Sequence, residues 1–204
     1  IDVVKQSIDL LSVSAHKFQG PKGTGFLYVK ENIALPSLLH GGNQERKRRA
    51  GTENLPGIIG FGKAAELAGE NFAEHVKHCS ELRNYLIDEV LKRIPNVKVN
   101  GSMEYRHPGN ANLTFEYIEG EAMLLMLDAK GISVSTGSAC SSTSLVPSHV
   151  LSALGIPVEQ IHGTLRFTIG DFTTKEDIDY VVECLSEIVG TLRGISSVNS
   201  KKGW

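Results

Sequence analysis

Ser14-Ala15-His16-Lys17-Phe18-Gln19-Gly20-Pro21-Lys22-Gly23-Thr24-Gly25 lies between two short apolar runs, Asp9 to Val13 and Phe26 to Val29. Runs of that length bounded by turn residues read as strands, so this end of the chain is sheet and the stretch between is a glycine-rich connection. Lys17 falls just past the end of the first strand. An amine becomes nucleophilic where partial desolvation lowers its pKa, and a strand end against a glycine-rich loop can supply such a place. Taken alone, Lys17 reads more simply as an exposed turn lysine. The loop is not a Walker A motif, because no Lys-Ser or Lys-Thr follows Gly25 at the required spacing.

Outward from this stretch, Asn54 and Pro56 supply helix-start signals, and the Gly- and Ala-rich run to Ala68 suits close packing against a neighbour. Phe72, Cys79, Leu82, Leu86 and Val90 share one helical face, which predicts a long amphipathic helix ended by Pro95. A domain boundary is expected near Asn71. Beyond it the pattern predicts strands at Val97 to Val99, Asn112 to Tyr117, Ile132 to Ser135 and Leu165 to Ile169, with a helix at Glu119 to Ala129. Thr173-x-x-Glu176 reads as a capping box opening a last helix whose apolar face is Ile178, Val181, Val182, Leu185, Ile188, Val189 and Leu192. This alternation is that of an α/β or α+β protein.

Composition excludes several function classes. The 204 residues are 41% hydrophobic and 22% charged, an ordinary globular balance that rules out a disordered or fibrous chain. The longest apolar run, Ala122 to Leu127, is far short of the roughly 18 residues a spanning helix needs, so no membrane partner is expected. A net charge of −2 gives no global attraction to nucleic acid. Three cysteines at long spacing form neither a disulfide framework nor paired zinc ligands, which makes a reducing cytoplasm the expected location.

Three further stretches carry chemistry. Gly41-Gly42-Asn43-Gln44-Glu45-Arg46-Lys47-Arg48-Arg49-Ala50-Gly51-Thr52 has the glycines, backbone N–H groups and hydroxyl that hold a phosphate. Its four consecutive basic residues lack the interleaved aromatics of a nucleic-acid surface. Ser135-Thr136-Gly137-Ser138-Ala139-Cys140-Ser141-Ser142 centres a cysteine among small polar residues, where a thiol is exposed and reactive rather than structural. Cys79 and Cys184 lie on or beside apolar helix stripes and read as core residues. His75-x-x-His78-Cys79 lacks a second ligand pair, so no metal is expected. Arg166 interrupts the apolar strand of Gly163-Thr164-Leu165-Arg166-Phe167, and it needs a carboxylate, either in an internal salt bridge or on a substrate.

Together these stretches resemble the cysteine desulfurases of the nitrogen-fixation type, among the class V aminotransferase-like pyridoxal-phosphate enzymes. The resemblance runs from Asp9 to about Leu192. It rests on Ser14-Ala15-His16-Lys17 with Gly20-Pro21-Lys22-Gly23, on Gln44-Glu45-Arg46 with Arg49-Ala50-Gly51-Thr52, on Thr136-Gly137-Ser138-Ala139-Cys140, and on Leu165-Arg166-Phe167. It implies an aspartate aminotransferase-like fold, with residues 1–71 forming part of the large-domain sheet and residues 72–204 a small α+β C-terminal domain. It implies pyridoxal 5'-phosphate bound covalently by Lys17, with Ser14 and His16 on its phosphate. Thr52 resembles the residue that reaches the phosphate of the other subunit's cofactor, which implies a homodimer. Cys140 matches the nucleophile that takes sulfur from L-cysteine as a persulfide, for a sulfur acceptor or iron-sulfur scaffold protein, and Arg166 matches the group that binds the substrate carboxylate.

The chain departs from the family at Asn43 and Lys47, where glycines are common. Family members also carry, ahead of the lysine, an acidic residue paired to the pyridine nitrogen and a histidine stacked on the ring, and neither has a counterpart in these 204 residues. The expectation is that this polypeptide alone does not turn over cysteine, and that residues 72–195 can fold alone. Other readings are a selenocysteine lyase, an inactive dimerisation or acceptor-binding fragment, and a cysteine hydrolase built on Cys140 with His149 or His162. The hydrolase leaves Lys17, Thr52 and Arg166 without roles.

Overall fold

The structure is a computed structural model that describes residues 1–136 and 147–196. The chain divides into two compact units, Ile1–Phe72 and Ala73–Trp204.

In the first unit, β1 (Leu10–Ser14) pairs antiparallel with β2 (Gly25–Val29), in a register that sets Leu10 opposite Val29 and Ser14 opposite Gly25. Between them, Ala15–Phe18 make one 3₁₀ turn that buries Ala15 completely. Helix α1 (Leu55–Glu70) starts as its sequence predicts: Asn54 caps it, its side chain accepting from the Gly57 N–H at 3.2 Å, with Pro56 in the first turn. The glycines let the helix approach the 19–25 loop closely. A Cβ on Gly57 would stand 2.4 Å from Thr24 Oγ1, and one on Gly60 would press on Pro21 at 3.1 Å. Phe61 then packs edge-on against Phe18 and Phe26, at 5.2 and 5.4 Å between ring centres. Leu10, Phe26, Leu27, Leu38, Leu55 and Ile59 remain exposed.

The second unit contains α2 from Ala73 onward; the helix as a whole runs Phe72–Arg93. It is followed by β3 (Val97–Val99), β4 (Asn110–Phe115), α3 (Gly120–Asp128), α4 (His149–Ala153), α5 (Val158–Ile161), β5 (Thr164–Thr168) and α6 (Lys175–Ile195). The sheet is antiparallel with order β3-β4-β5. Alternation sorts β4 into two faces: Ala111, Leu113 and Phe115 are fully buried, while Asn110, Asn112 and Thr114 face the other way. Leu165 and Phe167 of β5 join the buried face. Leu86 and Val90 of α2, Met123 and Leu127 of α3, and Val182, Leu185 and Ile188 of α6 close over it. On the opposite face, Asn100 Nδ2 donates to Thr114 Oγ1 at 2.8 Å, and the Thr114 and Thr164 hydroxyls stand 2.9 Å apart, so these buried polar groups satisfy one another.

Three expectations need correction. Ile132 to Ser135 is not a strand. Ile132 and Val134 pack on the core, but among the described residues the only ladder contact of this stretch is the bridge between Ser135 and Arg166, so alternation here reports burial without pairing. The capping box lies one residue on: Thr174 Oγ1 accepts from the Asp177 N–H and Asp177 Oδ2 from the Thr174 N–H, while the Thr173 hydroxyl accepts from the Gly170 N–H instead. Phe72 shares the helical face of Cys79 and Leu86 but is 66% exposed at the first position of α2.

Candidate functional site

The predicted residues are described in two places, one in each unit. In the first unit, Ser14 ends β1, and His16 and Lys17 follow on the 3₁₀ turn, held by Ala15 N–H donating to Thr24 O and Gly20 N–H to Ala15 O. All three side chains are exposed, and among the described residues none has a hydrogen bond or ion pair. Ala15 is buried under the turn while Ser14, His16 and Lys17 around it stay exposed.

Thr52, also exposed, follows a loop that closes on its own side chains. Gln44 Oε1 accepts from the Gly51 N–H at 3.1 Å, and the Arg49 guanidinium donates to Ala50 O. The turn is made by three successive left-handed residues, Glu45, Arg46 and Lys47, at φ of 49, 55 and 66°. Lys47 therefore occupies backbone space that glycine enters most easily.

In the second unit a cleft of about 510 Å³ opens on the sheet face away from the core, and Arg166, Asn112, Asn110, Thr136, His107 and His149 are among the residues that line it. The cleft holds two arginines with different roles. Arg106 is occupied by the protein: its Nε donates to Ser102 O at 2.9 Å, Nη1 donates to Asn110 Oδ1 at 3.1 Å, and Nη2 donates to the Asn100 carbonyl. Burial, with a smaller push from Arg83, holds its pKa below the usual arginine range. Arg166 has no salt bridge among the described residues, and its Nε is buried without a hydrogen-bond partner. A buried guanidinium donor left open in a cleft with side walls of Val150, Leu151 and Leu154 is a site for an incoming carboxylate.

Arg166 is fixed from both edges of its strand. It stands opposite Asn112 on β4, and on the other edge it exchanges backbone hydrogen bonds with Ser135, Arg166 N–H to Ser135 O at 2.7 Å and Ser135 N–H to Arg166 O at 3.2 Å. Cys140 lies outside the described residues. Asn112 was missed as a site residue by sequence reasoning; its signal was the i, i+2 pair Asn110 and Asn112 in a strand whose alternate positions are apolar. His107 was missed as well, and no pattern marks it. Cys79 and Cys184 are buried core thiols, as their stripes predict, and burial pushes the Cys79 pKa up, with a smaller contribution from Asp171.

The family Aminotransferase class-V matches residues 1–181. The cysteine desulfurase IscS of Methanosarcina thermophila is 55% identical over 202 residues, 99% of this chain and 50% of that protein. The chain spans about half the length of the curated relatives it matches. Among solved structures, a NifS-like protein superposes with a TM-score of 0.84 at 33% identity, over 94% of this chain and 49% of that one. A structure of SspA in complex with cysteine gives 0.63 at 30% identity, over 85% of this chain and 47% of that one. With nearly its whole length matched and the arrangement of a NifS-like protein, the chain belongs to the class-V aminotransferase family.

Proposed function

We propose that this chain is the lysine- and thiol-bearing part of a cysteine desulfurase, an enzyme that uses pyridoxal 5'-phosphate to convert L-cysteine and an enzyme thiol into L-alanine and an enzyme persulfide. The observation that carries the reading is Arg166: a buried guanidinium donor in a cleft, without a partner among the described residues and bonded through its backbone to Ser135, five residues before Cys140 in the sequence.

The donor set of the first unit fits the cofactor. Lys17 supplies an amine that can bond to an aldehyde, and Ser14 and His16 supply a hydroxyl and an imidazole for phosphate oxygens from the same turn. Thr52, on its outward loop, is assigned to the phosphate of the second subunit of a homodimer. When bound, the cofactor supplies an electron sink that stabilises negative charge at the substrate Cα.

The chain's own residues then divide the work. Arg166 holds the substrate carboxylate through its planar fork, and Asn112 adds a polar contact from the neighbouring strand. The Lys17 amine removes and later returns the proton at the substrate Cα. The Cys140 thiolate bonds to the substrate sulfur as the Cβ–S bond breaks; the bonding pair stays with Cβ, which takes up a proton, so alanine leaves and the persulfide stays. The relatives named for cysteine desulfurase activity, and the neighbour solved with cysteine, support L-cysteine as the substrate. A cytoplasmic location and delivery to a sulfur acceptor or iron-sulfur scaffold protein belong to the same proposal.

The test is borohydride trapping of pyridoxal phosphate on the polypeptide as its gene encodes it, with peptide mapping. Label is expected on Lys17 and lost in Lys17→Ala, while Lys22→Ala keeps it. Equal loss from both variants would overturn the assignment.

A further inference from the structure

We propose that His75, Cys79 and Asp171 form a binding site for one divalent transition-metal ion of the zinc class. The inference is independent of the desulfurase reading, and none of the three residues lines the Arg166 cleft.

The site is assembled by the fold. His75 and Cys79 stand four residues apart on α2, which stacks them on one face of the helix. Asp171 comes from the turn between β5 and α6, far downstream in the chain, and supplies the third ligand that the His75-x-x-His78-Cys79 spacing lacks. One ligand atom from each residue lies within 4.8 Å of the others. The Cys79 sulfur is 3.8 Å from each ring nitrogen of His75, and His75 Nδ1 faces the Asp171 carboxylate in direct contact.

The sulfur–nitrogen separation suits a tetrahedral ion, and the partly exposed Asp171 carboxylate, in direct contact with His75 Nδ1, swings outward to admit it. Metal–ligand bonds of about 2.0 to 2.3 Å set neighbouring ligand atoms about 3.5 Å apart, close to the sulfur–nitrogen distance seen. An ion entering between His75 Nδ1 and Asp171 takes the place of the proton that the pair shares. The thiol proton also leaves to solvent, so a thiolate and a carboxylate together neutralise the dication. A sulfur, an imidazole nitrogen and one carboxylate oxygen favour zinc or cobalt over magnesium or calcium.

Burial leaves one position open. Cys79 is fully buried, whereas the side chains of His75 and Asp171 are 33% and 42% exposed, so the fourth ligand is water from the solvent side. The surroundings hold the three ligands in place. His78 is committed to the Thr173 carbonyl at 3.0 Å, pinning α2 to the turn that carries Asp171, and the Thr173 hydroxyl accepts from Gly170 within that turn.

The test is cobalt titration of the reduced chain in a Cys140→Ser background, where Cys79 and Cys184 are the remaining thiols. A thiolate-to-cobalt charge-transfer band is expected, saturating at one ion per chain and abolished by added zinc. Cys79→Ser should remove the band and Cys184→Ala should keep it. His75→Gln and Asp171→Asn, at partly exposed positions that do not threaten the core, should each weaken cobalt binding at least about tenfold. A folded chain that shows no band at stoichiometric cobalt, a band that survives Cys79→Ser, or affinity unchanged in both His75→Gln and Asp171→Asn would overturn the proposal.

Discussion

Asn112 and Arg166 stand directly opposite each other on β4 and β5, and both side chains line the cleft on the face of the sheet turned away from the core. Directly opposed residues of an antiparallel pair have Cβ atoms about 5 Å apart, so one small ligand group can touch both. The neighbouring positions on each strand, Leu113 and Leu165, are buried to 0% on the other face. The packing that anchors the sheet thereby fixes where the two polar side chains point.

That arrangement makes Arg166→Lys informative. Lysine keeps the charge but loses the planar fork and the buried Nε donor. A charged hydrogen bond contributes about 1.5 to 3 kcal/mol, so KM for a carboxylate substrate should rise about 10- to 100-fold while kcat changes little. Steady-state kinetics on the polypeptide as its gene encodes it reads this directly. A KM within twofold of the parent's would mean that Arg166 does not hold the carboxylate.

Lys47 sits at φ 66° in a run of three left-handed residues. Left-handed backbone costs an L-residue about 1 to 2 kcal/mol, while glycine loses about 0.5 to 1 kcal/mol of extra chain entropy on ordering. Lys47→Gly should therefore stabilise the first unit by up to about 1 kcal/mol. Denaturant unfolding followed by a probe in residues 1–72 checks it; destabilisation would show that the lysine side chain itself holds the loop.

Asp179 ties α6 to α2. Its carboxylate accepts from Lys175 Nζ at 2.7 Å and from the Tyr85 hydroxyl, and these bonds, Lys175 first, hold its pKa below the ordinary 3.8. A carboxyl depressed in the folded state contributes stability that is fully present above its unfolded value and is lost as pH falls through the folded one. The contribution of Asp179 to the second unit's stability should therefore be constant from pH 5 to neutrality and be lost below about pH 4. In Asp179→Asn this acid limb should be shallower. An unchanged acid limb would remove Asp179 from the account.

Much of the second unit was legible because its signals are periodic. The apolar face of α6 was read from Ile178 through Leu192, and Val97–Val99 was placed at its observed ends. Where two local signals compete, the reading slipped. Thr173 and Thr174 each begin a Thr-x-x-acid pattern, and the contact of Thr173 with Gly170 that decides between them is tertiary. The sequence pattern places β4 two residues late, because Asn110 looks like loop until the cleft it faces is known, and because the turn after Phe115, with Tyr117 left-handed, leaves no mark in composition. Short turns such as Ala15–Phe18 carry too few residues for a period. Cys140, a thiol among small residues, and Arg166, an arginine in an apolar strand, look out of place locally, whereas Lys17 and Thr52 are marked only by the resemblance of their motifs. Asn112 is marked in the sequence only by its i, i+2 pairing with Asn110, a signal that gains a meaning once Arg166 stands opposite.

The most direct test of the account is where sulfur goes. The polypeptide as its gene encodes it is incubated with pyridoxal phosphate and L-cysteine, and each cysteine is mapped by mass spectrometry for the addition of one sulfur atom, with alanine measured in parallel. Cys79 and Cys184 are buried in the core, so the account predicts sulfur on Cys140 alone, with alanine formed and both products lost in Cys140→Ser. Sulfur on Cys184 or Cys79 with none on Cys140, or no alanine at all, would contradict it.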